Sequence, residues 1–82
     1  MTNKAILRLP AVKAETGLAR STIYLRISQG LWPIPVRLGS RAVGWPMSEV
    51  EALNAARIEG RSDAEIRQLV EGLIVKRKGA SL

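Results

Sequence analysis

The chain has 82 residues, the size of one small domain, and 46% of them are hydrophobic, as in an ordinary globular protein. It contains neither cysteine nor histidine, so disulfide bonds and the usual zinc sites are excluded. The formal net charge of +6 favours a polyanionic partner such as nucleic acid.

The basic residues are concentrated in the first half of the chain. Residues 4–45 carry seven cations against Glu15 alone, a balance of +6, whereas residues 46–60 balance to −2 and residues 61–82 to +2. The basic excess therefore coincides with the segment that carries the helix-turn-helix pattern described next. The alternative is a solvated basic face without a ligand, although such a face would have no reason to coincide with a motif.

The first predicted elements are two short helices joined by a turn that contains glycine. After an extended start at residues 5–8, Pro10 suits the first turn of a helix that ends at about Thr16. Gly17 tolerates a left-handed backbone and can cap that helix. A second helix is predicted over residues 20–29. Two helices separated by three or four residues with a glycine are typical of a helix-turn-helix.

The second helix has two unlike faces. Ile23 and Ile27 are four residues apart and share a stripe, which we expect to face the core. The opposite face is short and largely uncharged, which suits a helix that approaches a DNA groove, where hydroxyl groups bond to phosphates or base edges. The alternative is a small-residue face that packs against another helix. The outer and flanking residues are Ser21, Thr22, Tyr24, Leu25 and Ser28.

A basic hairpin is predicted after the second helix. Two prolines first impose an extended path, and we expect Trp32 beside them to pack over the core. Segments 36–38 and 42–45 then flank a Gly-Ser-Arg loop, a pattern that indicates a hairpin. Arg37 and Arg41 bracket this loop, and in a winged domain such a tip follows the sugar-phosphate backbone or enters the minor groove. Two arginines on an exposed hairpin also occur without any ligand.

A third helix is predicted directly after the hairpin. Ser48 suits its start, and Glu49 and Glu51 suit the positive end of the helix dipole. Val50 and Leu53 lie on its buried stripe. We expect this helix to pack behind the hairpin and to face away from DNA.

The strongest helix pattern lies at the end of the chain. Ser62 and Glu65 form a capping box, and the cations of the last turn are explained by the helix dipole without a ligand. The apolar positions that follow share one stripe, which must be buried against something. We expect self-association or partner binding through this helix, with docking on the chain's own core as the alternative. The stripe consists of Ile66, Leu69, Val70, Leu73 and Ile74.

The residues of the first two-thirds of the chain resemble those of the AlpA-type regulators of prophages and integrative elements. The resemblance covers about residues 7–57 and is carried by Arg20-Ser21-Thr22-Ile23-Tyr24, Pro33-Ile34-Pro35-Val36 and Arg41-Ala42-Val43-Gly44-Trp45. It implies a mainly α fold with a small β-hairpin, the winged helix-turn-helix of excisionases and MerR-type regulators, over residues 5–59. A C-terminal amphipathic helix at residues 61–78 lies outside it.

The resemblance also implies which side chains contact DNA. The implied contacts are Arg20, Ser21, Thr22 and Tyr24 on the recognition helix, and Arg37, Ser40 and Arg41 on the wing. The chain departs from its relatives at Leu25-Arg26, which inverts their usual Arg-Leu pair. The inversion moves the cation towards the flank of the helix, so that Leu25 is expected to meet a thymine methyl group instead.

These patterns favour a sequence-specific DNA-binding transcriptional regulator of a phage or integrative element, with an excisionase-like architectural role also implied by the resemblance. We expect a cytoplasmic protein without cofactor, metal, membrane or small-molecule ligand, acting on double-stranded DNA as a homo-oligomer, since one copy offers few contacts. Two alternatives remain open: the DNA-recognition subunit of a phage packaging terminase, and a protein-interaction module that binds no DNA. An enzyme is disfavoured, because Asp63 is explained by the first turn of its helix.

Overall fold

The computed structural model describes residues 5–79 as a winged helix-turn-helix followed by a C-terminal helix. The elements in chain order are β1 (Ile6–Leu7), α1 (Leu9–Thr16), α2 (Arg20–Ser28), β2 (Val36–Arg37), β3 (Val43–Pro46), α3 (Met47–Ile58) and α4 (Asp63–Gly79). The fold class expected from the sequence is confirmed. Over this described range, no helix combines the length and the hydropathy needed to cross a membrane.

The turn between α1 and α2 is fixed by its own side chains. The Thr16 hydroxyl donates a hydrogen bond to the Val12 carbonyl (2.7 Å) and accepts one from the Leu18 amide (3.2 Å). Gly17 has a φ of 73°, a left-handed conformation that glycine adopts without strain, and its amide bonds to the Lys13 carbonyl. Three residues therefore separate the helices and set the direction of α2.

The sheet has three antiparallel strands in the order β1-β3-β2, one more strand than the hairpin predicted from the sequence. Leu7 pairs with Trp45, and Val36 pairs with Gly44, so β3 lies in the centre. The Met47 amide bonds to the Ala5 carbonyl and continues the β1 side of the ladder. A two-residue strand carries no alternation of its own, which is why only its extended path was predicted.

Gly44 allows the central strand to approach β1. A Cβ atom at this position would lie 2.6 Å from Ile6 Cγ2 and 2.8 Å from the Leu7 carbonyl oxygen. The second of these atoms belongs to the backbone and cannot turn away as a flexible side chain can. The base of the hairpin therefore requires glycine for a steric reason.

One hydrophobic core joins all parts of the described chain. Trp45 from the sheet, Ile23 from α2 and Leu53 from α3 are each almost completely buried. From α4, Ile66 and Val70 belong to the same core, with Leu69 and Leu73 packed against it. Much of the apolar stripe of α4 is thus covered by its own chain, with Ile66 and Val70 buried and Leu69 and Leu73 half-buried. Ile74 is half-buried. Self-association through this helix stays a prediction.

A buried ion pair ties the end of α4 to the start of α3. Arg77 donates from Nη2 to Glu49 Oε1 (2.6 Å) and from Nε to Glu49 Oε2 (2.7 Å), a bidentate arrangement. The side chains are only 6% (Glu49) and 19% (Arg77) exposed. The sequence alone explains both residues by the helix dipole. Their pairing joins residues 28 apart in the chain, which no local pattern indicates.

The predicted capping box at the start of α4 is confirmed. The Ser62 amide donates to Glu65 Oε1 (2.9 Å), and the Glu65 amide donates to Ser62 Oγ (3.2 Å). The hydrogen bond from the Ser62 amide, together with that from its hydroxyl and with nearby Arg61, holds the pKa of Glu65 below its ordinary value. The carboxylate form of Glu65 therefore stabilises the first turn of α4.

Candidate nucleic-acid interface

The outward face of α2 carries the side chains that the sequence assigned to DNA contact. Ser21 and Leu25 are exposed, the latter by 56%, while Ile23 on the opposite side is buried. Thr22 and Arg26 are half-buried on the flanks, as the inverted Leu25-Arg26 pair predicts for the arginine. An apolar side chain therefore stands where relatives are expected to carry a cation.

The first turn of α2 is open to a ligand. Its N-cap residue, Ala19, provides no side-chain hydrogen bond, so the first amides of the helix are not capped by a side chain. A shallow cleft lies beside them, lined by Ala19, Arg20, Ser21 and Tyr24. Uncapped amides at the positive end of a helix dipole are suited to a phosphate group.

Three aromatic and basic side chains form a stack that runs from α2 into the core. The Arg20 guanidinium lies over the Tyr24 ring, 5.2 Å from its centroid. Tyr24 in turn meets the Trp45 ring edge to face, with centroids 6.4 Å apart and an interplanar angle of 72°. Trp45 donates from Nε1 to the Pro33 carbonyl (2.8 Å). The sheet, the Pro-Ile-Pro segment and α2 are thereby joined at one point.

The wing, residues 36–45, presents its basic residues at and near its tip. The amides of Leu38 and Gly39 both donate to the Ala42 carbonyl, at 2.7 and 3.2 Å, which closes a tight loop. The predicted wing residues Arg37, Ser40 and Arg41 are all exposed. The side chains of the loop are therefore free to meet a surface that approaches the tip.

One wing arginine lies on the face of the sheet that carries α2. Side chains alternate between the faces of a strand, so Val43 and Trp45 share one face of β3. Arg37 is paired with Val43 and lies on that face as well. Because Trp45 on this face contacts Tyr24, the face is the one that carries α2. Arg37 therefore lies on the face of the sheet that carries α2. We call the candidate residues of α2 and the wing together the basic surface: Arg20, Ser21, Thr22, Tyr24, Leu25, Arg26, Arg37, Ser40 and Arg41.

The cations of residues 5–46 form no salt bridge within the described part of the chain. Among residues 5–79, every salt bridge lies within the segment from Glu49 to Arg77. The cations of residues 5–46 take part in none of them: Arg8, Lys13, Arg20, Arg26, Arg37 and Arg41. The charge of these cations is therefore not neutralised by any ion pair among residues 5–79.

The structure brings Arg20, Ser21 and Tyr24 together at the start of α2. It leaves the wing residues Arg37, Ser40 and Arg41 exposed on the hairpin, and it adds two residues that sequence reasoning missed in this role. Trp45 supports Tyr24 from the core, and Gly44 allows the wing to sit against β1. Both stand in the Gly-Trp pair at the end of the wing, but their contacts with Tyr24 and Ile6 span the fold. The spacing of residues along the sequence therefore does not indicate those contacts.

Comparison with known proteins gives two relatives and one family. The family of the prophage CP4-57 regulatory protein (AlpA) matches residues 5–58. An uncharacterised protein, ORF88, of Enterobacteria phage P4 is 48% identical over 74% of this chain and 69% of its own length. The DNA-binding transcriptional activator AlpA of Escherichia coli K12 is 40% identical over 56% of this chain and 74% of its own length. No solved structure matches.

Proposed function

The chain belongs to the AlpA family of prophage regulatory proteins, and from this we propose that it is a sequence-specific, DNA-binding transcriptional regulator of a phage or integrative element. One relative, the E. coli activator, is named for DNA binding and transcriptional activation. The partner is double-stranded DNA in the cytoplasm, and the protein catalyses no reaction.

In this proposal α2 is the recognition helix and enters the major groove. Its exposed N-terminal side chains, Arg20 and Ser21, reach base edges, as the first residues of recognition helices do. Its uncapped amides donate hydrogen bonds to the adjacent phosphate. Leu25 lies one turn further on and contacts a thymine methyl group.

The wing anchors the protein on the backbone of the duplex. Arg37 and Arg41 are exposed and form no salt bridge within residues 5–79. Arg37 also lies on the face of the sheet that bears α2. Arginines in this position bind phosphate oxygens or enter a narrow minor groove. The observation that carries the proposal is this unneutralised basic surface around an exposed, uncapped helix.

We further propose that two or more copies act together on repeated sites. A single short helix and one wing contact only a few base pairs, too few for useful specificity alone. Copies placed side by side would also bend DNA, which is the excisionase-like architectural role implied by the resemblance. A gel-shift comparison of duplexes with one and with two sites tests the cooperation, and migration of circularly permuted fragments tests the bend.

The central experiment is selection of bound sequences from random duplex DNA, followed by affinity measurements across a salt series. We expect one enriched motif and an affinity that falls steeply with salt, because each neutralised phosphate contributes a slope of about 0.9 in a log–log plot. Replacing both wing arginines (Arg37→Gln with Arg41→Gln) is expected to lower that slope by about 2 and to weaken binding to all sequences alike.

The matched control removes two arginines from the other half of the molecule. Arg57→Gln with Arg61→Gln changes the net charge by the same amount, but both arginines are paired with carboxylates. The salt slope should stay at its original value in this variant. An equal loss in both double variants would reduce the effect to net charge, and the absence of any enriched motif would overturn the proposed function.

A further inference from the structure

The aromatic ring of Tyr24 on the basic surface contacts two other side chains of the protein. Arg20 covers its face at 5.2 Å, and Trp45 meets it edge to face at 6.4 Å. Only 37% of Tyr24 is exposed. Because Arg20 and Trp45 already contact this ring, little of it can contact a duplex. Direct contact with DNA, as expected for Ser21 and Leu25, therefore does not explain why a tyrosine stands here.

The ring of Tyr24 is fixed from behind by the core. Trp45 is completely buried, and its indole nitrogen is bonded to the Pro33 carbonyl at 2.8 Å. Tyr24 cannot leave this position without losing the contact with Trp45. The orientation of the ring is therefore set by the sheet and the Pro-Ile-Pro segment, not by α2 alone.

Arg20, in contrast, is held by Tyr24 alone among the described side chains. It forms no salt bridge within residues 5–79, and its guanidinium lies over the ring four residues later in the same helix. Stacking on an aromatic face restricts the plane of the guanidinium and leaves the N–H donors at its edge free. The chain thus fixes an arginine without using its hydrogen bonds.

We propose that Tyr24 is a positioning residue that holds Arg20 in the orientation required to read a guanine. Arg20 is the first residue of α2, the end of a recognition helix that meets base edges. A guanidinium of fixed plane matches the O6 and N7 acceptors of guanine with two parallel hydrogen bonds. A phosphate accepts an arginine from many directions, so a fixed plane gives it little advantage. This inference rests on the proposed function.

The first test needs no DNA. In the free protein, NMR should show the side-chain protons of Arg20 shifted by the ring current of Tyr24. We expect Tyr24→Phe to keep that shift and Tyr24→Leu to abolish it, with the resonances of core residues remote from the ring, such as Leu53 and Ile66, unchanged in both variants. If the Arg20 signals are the same in Tyr24→Leu as in the original protein, the stack does not order Arg20 and the inference fails.

The second test uses the duplex enriched from random DNA, with each guanine replaced in turn by 7-deazaguanine, which lacks the N7 acceptor. At one guanine we expect the original protein and Tyr24→Phe to lose about tenfold in affinity. Arg20→Ala and Tyr24→Leu should be indifferent to the same replacement. The double variant Arg20→Ala with Tyr24→Leu should bind no more weakly than Arg20→Ala.

The outcomes separate this inference from the function on which it rests. If no motif is enriched, the proposed function fails. If a motif is enriched but no guanine shows the effect, or Tyr24→Leu remains sensitive to it, only the inference fails. A neutral methylphosphonate in place of single phosphates identifies the other source of acceptors, and loss of affinity there instead of at guanine would also overturn the inference.

Discussion

The two halves of this small fold treat their cations in opposite ways. Residues 5–46 carry six cations against Glu15 alone, a balance of +5, whereas residues 47–79 carry six cations and six carboxylates. In the second half Arg57, Arg61 and Arg77 are paired with carboxylates, and Arg67 donates to the Gln29 carbonyl. In the first half no described cation forms a salt bridge. Pairing within the fold thus distinguishes the cations that stabilise the chain from those that we propose contact DNA.

The largest effect on stability is expected from the buried pair of the second half. Arg77→Met leaves the Glu49 carboxylate buried without a counter-charge and should lower the free energy of unfolding by about 3 kcal/mol. Adding Glu49→Met should restore much of the loss, because no unpaired charge then remains. Urea denaturation measures both changes.

The control for this prediction comes from the basic surface. Arg37→Met removes an exposed arginine without a salt bridge and should change the unfolding free energy by no more than about 0.5 kcal/mol. A similar loss in Arg37→Met and Arg77→Met would contradict the division of the molecule into two halves.

A second prediction sharpens the comparison, since the first half depends on steric fit instead of ion pairs. Gly44→Ala places a methyl group 2.6 Å from Ile6 Cγ2 and 2.8 Å from a backbone oxygen, and should cost about 1–3 kcal/mol. Gly72→Ala is the matched control, because nothing lies within 4 Å of its Cβ position inside α4. There the same substitution should stabilise by about 0.5–1 kcal/mol. Equal effects in thermal unfolding would show that the wing does not need its glycine.

The smallest expected effect concerns pH. The pKa of Glu65 is lower in the folded chain than its ordinary value of 4.5, so the unfolded chain binds the proton more readily. The stabilisation is complete above about pH 4.5 and is lost as the pH falls through the folded pKa. Glu65→Gln should therefore flatten the dependence of stability on pH in the acid range. If urea midpoints between pH 3 and pH 6 have the same pH dependence in both proteins, the capping interaction adds nothing.

Local patterns predicted most of the fold and part of the site. Pro10, Gly17 and the Ser62–Glu65 box each act within a few residues, so their turns and caps were predictable. The stack of Arg20, Tyr24 and Trp45 was predictable only in its first step, the i, i+4 spacing of Arg20 and Tyr24. The contact with Trp45, the pairing of β1 and the Glu49–Arg77 pair depend on tertiary packing, which periodicity does not contain. For α4 the apolar stripe was predicted, but the pattern of one helix does not show which part of the chain it packs against.

The Glu49–Arg77 pair limits which segments of this chain can be replaced by segments of a related protein. The region that matches the family covers residues 5–58 and contains the buried carboxylate but not its arginine. It also lacks Ile66 and Val70, which complete the core. A recombination event that replaced the tail would have to bring a cation to the same place, or remove Glu49 at the same time. We therefore expect residues 5–58 to lose stability when the tail is exchanged without a matching change at Glu49.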